Sequence, residues 1–417
     1  MRYLLLIILL LTTIKISAQG DWISTSFAMH GTTADSGSLI WADAGYDLSS
    51  NTLSQTLFSE AFNGAISGPA SGSVVALDPS GHTNLQATGG GEMWFRMRKF
   101  QNLPSLALLL TAGFAERFYL SSRNGFAQLL LRGNAEFEGQ SLPFDNTYMS
   151  YFSFQHLGGG VEVSSASTVM GLTACFGKVS RAAGLTIQDG SLYTAPGGTE
   201  LNGYLDMEVM MSAKNQNKLS AWYGTALFTN AYISHHTANH KTLFTIQIRE
   251  VGVAIFEGIN RWSFQDSFRF RGADVSDYRN LTDSLFSSSS IDSPESLLGI
   301  EKSNKGGSIN LPGKIRAIVS HRFGDRIVLT AMAEQVFFRS GFRLTASAAY
   351  MPLDILSIQP TVRLGGFSKF DYGLNIGWKP KAYISLYLQT MLFKAVLTPE
   401  KPTGQAAMLG AMIRLNR

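Results

Sequence analysis

Arg316, Arg343, Arg363 and Arg414 each take the polar parity of a strand-like segment in the C-terminal third of the chain. Guanidinium groups repeated on one face can attract carboxylate or phosphate groups, since each holds a fixed charge and a rigid fork of donors. Asp206 and Glu208 stand two residues apart, which in a strand places both carboxylates on one face with Cα atoms roughly 6.5–7 Å apart. Such a pair can act as general acid and base. It can equally join Glu334 as counter-charge to the arginines, so that the array fills an enclosed space instead of binding a ligand. His235, His236 and His240 fall within six residues and could hold a metal if a turn folds them inward, or could decorate an exposed hairpin tip. Cys175 is the single cysteine, so neither an internal disulfide nor a cysteine-based zinc site can form, and it reads as a small strand residue. The sequence holds no G-x-S-x-G, no G-x-x-x-x-G-K-[ST] and no H-E-x-x-H. Recognition is expected here, with no enzymatic activity, no cofactor and no metal.

The segments that carry these residues alternate strictly. Phe342, Leu344, Ala346, Ala348 and Tyr350 share one parity, and Arg343, Thr345 and Ser347 the other. Leu356, Ile358, Val362 and Leu364 alternate with Ser357, Gln359, Thr361 and Arg363, and Tyr372, Leu374, Ile376 and Trp378 with Gly373, Asn375 and Gly377. A period of two predicts strands with one apolar and one polar face, joined here as an antiparallel meander. Similar patterns recur from Glu92 onward, giving seventeen candidate segments in all.

Composition says which face meets what. The chain has 417 residues, 45% hydrophobic but only 15% charged, against roughly 25% charged in an ordinary soluble domain. Disorder is excluded by the same balance. Residues 1–18 have the layout of a signal peptide: Arg2, an apolar run from Tyr3 to Leu11, and Ser17-Ala18 at the cut. Their removal takes Arg2 and Lys15 and leaves a nearly neutral chain, so nucleic acid is not expected as a partner. No later stretch reaches the roughly 18–20 apolar residues of a spanning helix. A soluble all-β sandwich and a closed transmembrane barrel both fit alternation. Aromatic residues decide between them: Phe342 and Tyr350 end one apolar row, and Tyr372 and Trp378 another, as the two interfaces of a bilayer favour. The polar rows are Gly, Ser, Thr and isolated Arg, suited to a crowded lumen. The expectation is an all-β, transmembrane, antiparallel up-and-down barrel of 14 strands, within a range of 12 to 16, occupying 19–417 as one domain. Residues 31–84 are expected outside the wall as a plug or periplasmic segment, 125–134 as a short helix, and 274–313 as a long loop.

The run Phe126 to Gly139, with Leu130, Leu131, Gly133-Asn134 and Phe137, is followed by Gly158-Gly159-Gly160, the stretch Leu185 to Leu201, Ile246 to Gly252 and a terminal Gly410-containing segment. This order resembles a family of outer-membrane barrels of unassigned function from Bacteroidetes-type bacteria, similar in layout to FadL-type channels and to barrel accessories of type IX secretion. The resemblance implies a Gram-negative outer membrane and a lipid environment. It implies one of two roles. One is a passive channel for small amphipathic or hydrophobic molecules, with a lumenal arginine among Arg316, Arg343, Arg363 and Arg414 taking the cargo's carboxylate. The other is a non-transporting scaffold for a secretion or surface-assembly partner.

Overall fold

In the computed structural model the described residues are 38–54, 56–57, 77–98, 105–212, 222–270, 301–337, 341–399 and 401–415. The signal segment 1–18 and the expected helical turn near 277–286 lie outside them. The first part of the chain forms β1 (Ser38–Ser54), β2 (His82–Met97), β3 (Leu106–Arg123), a helix α1 (Asn124–Arg132), β4 (Ser141–Pro143), β5 (Thr147–Ser164) and β6 (Thr168–Thr194). Then come β7 (Leu201–Met211), β8 (Gly224–His236), β9 (Thr242–Phe270), β10 (Glu301–Asn310), β11 (Lys314–Phe323) and β12 (Ile327–Val336). The chain continues through β13 (Arg343–Leu353), β14 (Leu356–Gly365), β15 (Phe370–Lys381), β16 (Ile384–Thr390), a short helix α2 (Phe393–Leu397) and β17 (Pro402–Leu415).

All lie in one sheet, and β1 pairs antiparallel with both β2 and β17, so the sheet closes on itself. The wall is an antiparallel barrel of 14 staves, because β4 continues the line of β5, β7 that of β8, and β10 that of β11. The pairing shows this: β6 meets β8 along Thr168–Val179 and β7 along Ala183–Thr194. The interruption between β10 and β11 is Leu311-Pro312-Gly313, where proline cannot donate to a ladder.

Side-chain parity runs opposite to that of a water-soluble protein. Outward residues are apolar and exposed, with Leu157 at 69%, Leu409 at 64% and Leu172 at 54%. Inward residues on β14 and β15 are polar yet buried, with Arg363 at 2% and Asp371 at 0%. Outward aromatic rings bound this belt as the alternation predicts: Phe323, Tyr350 and Trp378 toward one end, Phe342 and Phe370 toward the other. A contiguous apolar exterior of this extent requires an apolar solvent.

The two ends differ. At one, connections such as 165–167, 237–241, 324–326, 354–355 and 382–383 are tight turns; at the other, 55–81, 124–146, 271–300 and 391–401 are long. Above the belt on the long-loop side, β6, β7, β9 and β10 rise beyond their neighbours. There the outward residues Phe118, Leu120, Met149 and Tyr151 are buried with Leu53 and Leu57, and Phe126 of α1 packs on them. The second hydrophobic cover joins Phe137, Leu142 and Phe144 to Ile187 and Leu192. Arg123 clips this connection by pairing with Asp145 (Nη2–Oδ2 3.0 Å), and those hydrogen bonds hold the Asp145 carboxyl below the usual aspartate range.

Two expectations fail on the wall itself. Residues 38–54 are not plug: they are β1, the stave that closes the barrel. Its outward side is thin in bulk (Ala42, Ala44) and its inward side carries Trp41, Asp43 and Asp47, so alternation is faint. Residues 301–310 are not loop but β10, a strand standing above the belt whose residues are mostly exposed and polar, with Ile309 packed against a buried apolar cluster. The helix expected at 125–134 is present as α1.

Replacing Leu409 by Arg, in the middle of a lipid-facing row, should destabilise the barrel by about 2–4 kcal/mol. Leu409→Phe should change stability little. Urea titration of folding into phospholipid vesicles measures both.

Candidate functional site

The lumen holds the chain's concentrated chemistry, and its two sides differ. On the side formed by β1 and β11–β17, Asp47 accepts from Arg343 Nη1 and Arg363 Nη1, each at 2.8 Å, and from Ser49 Oγ at 2.5 Å. Arg343 also pairs with Glu334, which accepts from Arg316 Nε at 2.5 Å. Arg363 reaches Asp371 at 3.4 Å, and Asp371 accepts from Ser368 and from the Gly404 amide at 2.8 Å. Three arginines thus share three acids in one continuous network. On β2, Glu92 accepts from Thr111 Oγ1 at 3.0 Å, faces His156 Nε2 at 3.3 Å and pairs with Arg249, whose guanidinium lies 6.0 Å from the Trp94 ring centroid.

On the side formed by β3 and β5–β10 an apolar cluster also faces inward, among polar residues such as Arg117, Asn230 and Glu250. Phe152, Phe154, Phe228, Phe256, Ile259 and Leu311 form one buried cluster, lined by the small residues Ala115, Cys175, Ala182, Ala226 and Ala254. Phe154 and Phe228 meet edge to face with centroids 5.7 Å apart. Small residues on the wall leave room for the rings; without them the cluster could not fit between staves.

Two features cross the lumen. Arg117 of β3, at 1% exposure, donates to both carboxylate oxygens of Glu250 on β9 (2.5 and 3.2 Å) and to the Gly89 carbonyl (3.1 Å). Glu250 sits in a wall bulge opposite Asn230, with φ of 56°, and its amide donates to Asn230 Oδ1 at 2.8 Å. A non-glycine residue in that conformation costs roughly 1–3 kcal/mol, which the surrounding contacts must offset. Nearer the long-loop end, Phe367 in the β14–β15 connection folds across to Tyr119 of β3, ring centroids 5.7 Å apart, with Val336 of β12 alongside. Gly365 and Gly366 have φ of 77° and 72°, which lets this connection turn inward.

Of the residues singled out from sequence, Arg316, Arg343 and Arg363 are brought together with Glu334, and Arg414 is not. Arg414 lies opposite Leu39 at the tight-turn end, away from the network. Asp206 and Glu208 are also elsewhere. They stand on β7 in the rise above the belt, where Glu208 pairs with the partly exposed Arg261 at 3.1 Å and Asp206 lies opposite Gln265. They are therefore no counter-charge to the lumenal arginines, because the stave that carries them lies above the network. The arginines find partners the sequence reading had not named, Asp47 and Asp371. A lumenal arginine awaiting a cargo carboxylate is accordingly not found in this network: Arg316, Arg343 and Arg363 are each engaged by acids of the chain itself. The histidines lie at the hairpin tip, with His235 Nδ1 2.9 Å from Thr168 Oγ1 and the His236 and His240 ring centroids 5.9 Å apart. Among the described residues no group of three or more His, Cys, Asp or Glu is placed to hold a metal. Cys175 is buried in the apolar cluster, 3.6 Å from Asn230 Nδ2.

Sequence reasoning missed Glu92, Arg117, Glu250 and Phe367. Glu92, Trp94 and Arg96 do alternate with Met93 and Phe95, a signal of an inward polar row, but nothing local links Arg117 to a residue 133 positions away.

Breaking the Arg117–Glu250 strut from either end, by Arg117→Met or Glu250→Gln, should cost about 3–5 kcal/mol by stranding a buried partner. The double substitution should cost clearly less than the sum. A double-mutant cycle from urea unfolding in vesicles reads the coupling.

No family model and no curated protein matches the chain. Solved structures similar to it include the P. putida toluene transporter TodX, at 7% identity over 94% of this chain and 93% of that one, with a TM-score of 0.42. A Pseudomonas aeruginosa FadL homologue shares 9% identity over 91% of each chain, with a TM-score of 0.46. The translocator domain of the autotransporter NalP from Neisseria meningitidis shares 9% over 94% of this chain and 98% of that one, with a TM-score of 0.33. Likenesses this distant establish neither family nor cargo.

Proposed function

We propose that the protein is an outer-membrane barrel that passes small, largely apolar molecules, held closed at rest by its own lumenal side chains. The apolar belt bounded by two aromatic rows supplies the membrane reading, and tight turns at one end with long connections at the other orient it, tight turns toward the periplasm. One observation carries the transport reading: the lumen contains a buried aromatic cluster, Phe152, Phe154, Phe228 and Phe256, where a water-filled porin is polar. Rings backed by alanines form a chamber that an apolar guest can occupy by displacing them. Because the lumenal arginine network is self-neutralised, the cargo needs no carboxylate, and neutral hydrophobic molecules fit the chamber better than fatty acids do. The Tyr119–Phe367 contact closes the chamber toward the cell surface.

A second reading has its own support. The tall rise of β6, β7, β9 and β10, with α1 packed on its outer face, projects above the belt and suits docking to a secretion or surface-assembly partner.

Flux of a neutral aromatic hydrocarbon into proteoliposomes tests the first reading. Wild-type protein should pass it above the rate of empty liposomes, and Phe367→Ala should raise the rate several-fold by opening the outer contact. If neither protein exceeds empty liposomes, transport is excluded and the scaffold reading stands.

A further inference from the structure

One stave, β16, stops short at the long-connection end. It pairs with β15 only from Leu374 and with β17 only from Ala407, so residues 370–373 and 404–406 rise past its last residue, Thr390. The helix α2 takes up its line, packed against β15 on one side and β17 on the other. Met391, fully buried, fixes the start: its amide donates to the Ala406 carbonyl at 2.7 Å, and Gly373 leaves room for its sulfur, where a β-carbon would collide. Lys394 Nζ donates to the Phe370 carbonyl at 2.7 Å, tying the helix to the wall beside the outward aromatic row. Beyond the helix, the Pro399 carbonyl accepts from the Thr56 amide at 3.1 Å.

One face of α2 is apolar and uncovered. Phe393, Val396 and Leu397 fall at i, i+3 and i+4, on one side of the helix, and are 40%, 72% and 66% exposed. The exposed ring of Phe370 adjoins them, so this face continues the lipid-facing belt. Its flank is cationic. Lys369 in the β14–β15 connection and Lys401 after α2 are exposed, and the charges of both bear on Lys394. Burial and these two like charges hold the Lys394 ammonium below the usual lysine range, against the pull of Asp371. Asp371 itself is buried beneath them and engaged by Arg363, Ser368 and the Gly404 amide. An apolar helical face edged by lysines at the rim of a bilayer-facing belt matches the two parts of an anionic lipid, acyl chain and charged head.

We infer that α2 and the wall beside it form a binding site for a multiply phosphorylated lipid of the leaflet at the long-connection end, with its phosphates against Lys369, Lys394 and Lys401 and an acyl chain along Phe370, Val396 and Leu397. The occupant is a lipid and not a free anion, because the apolar face is continuous with the belt that acyl chains already cover. The site rests on the membrane reading but not on transport, because binding is read in detergent without any flux.

Native mass spectrometry of the full-length protein in a neutral detergent, titrated separately with diphosphoryl lipid A, monophosphoryl lipid A and phosphatidylcholine, tests this. Wild-type protein should retain the diphosphoryl lipid most tightly and phosphatidylcholine least, and raised salt should narrow the difference. Lys369→Gln combined with Lys401→Gln, which leaves the bond from Lys394 to Phe370 in place, should weaken diphosphoryl lipid A binding about tenfold. Val396→Ser combined with Leu397→Ser should weaken it several-fold. Heat-dependent electrophoretic migration confirms folding, and Lys369→Gln alone replaces the lysine pair if that variant does not fold. The inference is overturned if phosphatidylcholine binds as tightly as the diphosphoryl lipid, or if the folded lysine variant binds like wild type. Displacement of the lipid by inorganic pyrophosphate would overturn it in favour of a free anion, and a dimer lost on Val396→Ser and Leu397→Ser, without lipid preference, in favour of a second copy of the chain.

Discussion

Every backbone group in the wall must find its partner within the wall, because its outward side chains leave no room for water. The β1–β17 pairing meets that constraint by removing the last free edge, from Ser38 opposite Leu415 to Ser54 opposite Pro402. Once the sheet is closed, period-two alternation sends one row of each strand to the apolar solvent outside and the other to an enclosed lumen. The tolerance of the outer surface for Leu157 and Leu409, and the burial of Arg363 and Asp371, are two results of that single geometry.

Enclosure then sets the chemistry inside. A buried guanidinium is tolerated only with its acid in reach: Arg316 and Arg343 find Glu334, and Arg363 finds Asp371, directly across neighbouring strands, while closure of the barrel brings Asp47 of β1 to Arg343 and Arg363. Where staves offer alanine and cysteine instead, phenylalanines fill the space. The division of the lumen into a paired-charge side and an aromatic side follows from which strands carry which inward row. The Arg117–Glu250 strut runs from β3 to the wall bulge around Glu250 on β9, and Phe367 of the β14–β15 connection reaches Tyr119 above it.

Much of this architecture was legible along the chain. The alternation from Phe342 to Trp378 shows its outward row directly, and the Gly-, Ser- and Thr-rich parity marks the lumen. Faint strands were not: β1 has too few large outward residues, and β10 stands where no bilayer imposes alternation. The Ser180 bulge in β6 breaks parity, so one long strand reads as two segments, Thr168–Gly177 and Gly184–Tyr193. In the lumen, the arginines could be picked out because they interrupt small-residue rows. Glu334 was named with them, but Asp47 could not be, because only closure of the barrel brings it to Arg343 and Arg363, 296 and 316 positions away. Asp206 and Glu208 show the limit clearly: parity was read, but height along the stave was not.

The orientation of the two rows is open to direct measurement with the tryptophans. Trp378 and Trp222 lie on the outer face at 49% and 58% exposure, whereas Trp41 and Trp94 stack inside with ring centroids 6.1 Å apart. In vesicles containing lipids brominated along the acyl chain, a variant retaining Trp378 alone should be strongly quenched and one retaining Trp94 alone should not. Quenching of Trp94 with Trp378 unaffected would contradict the account.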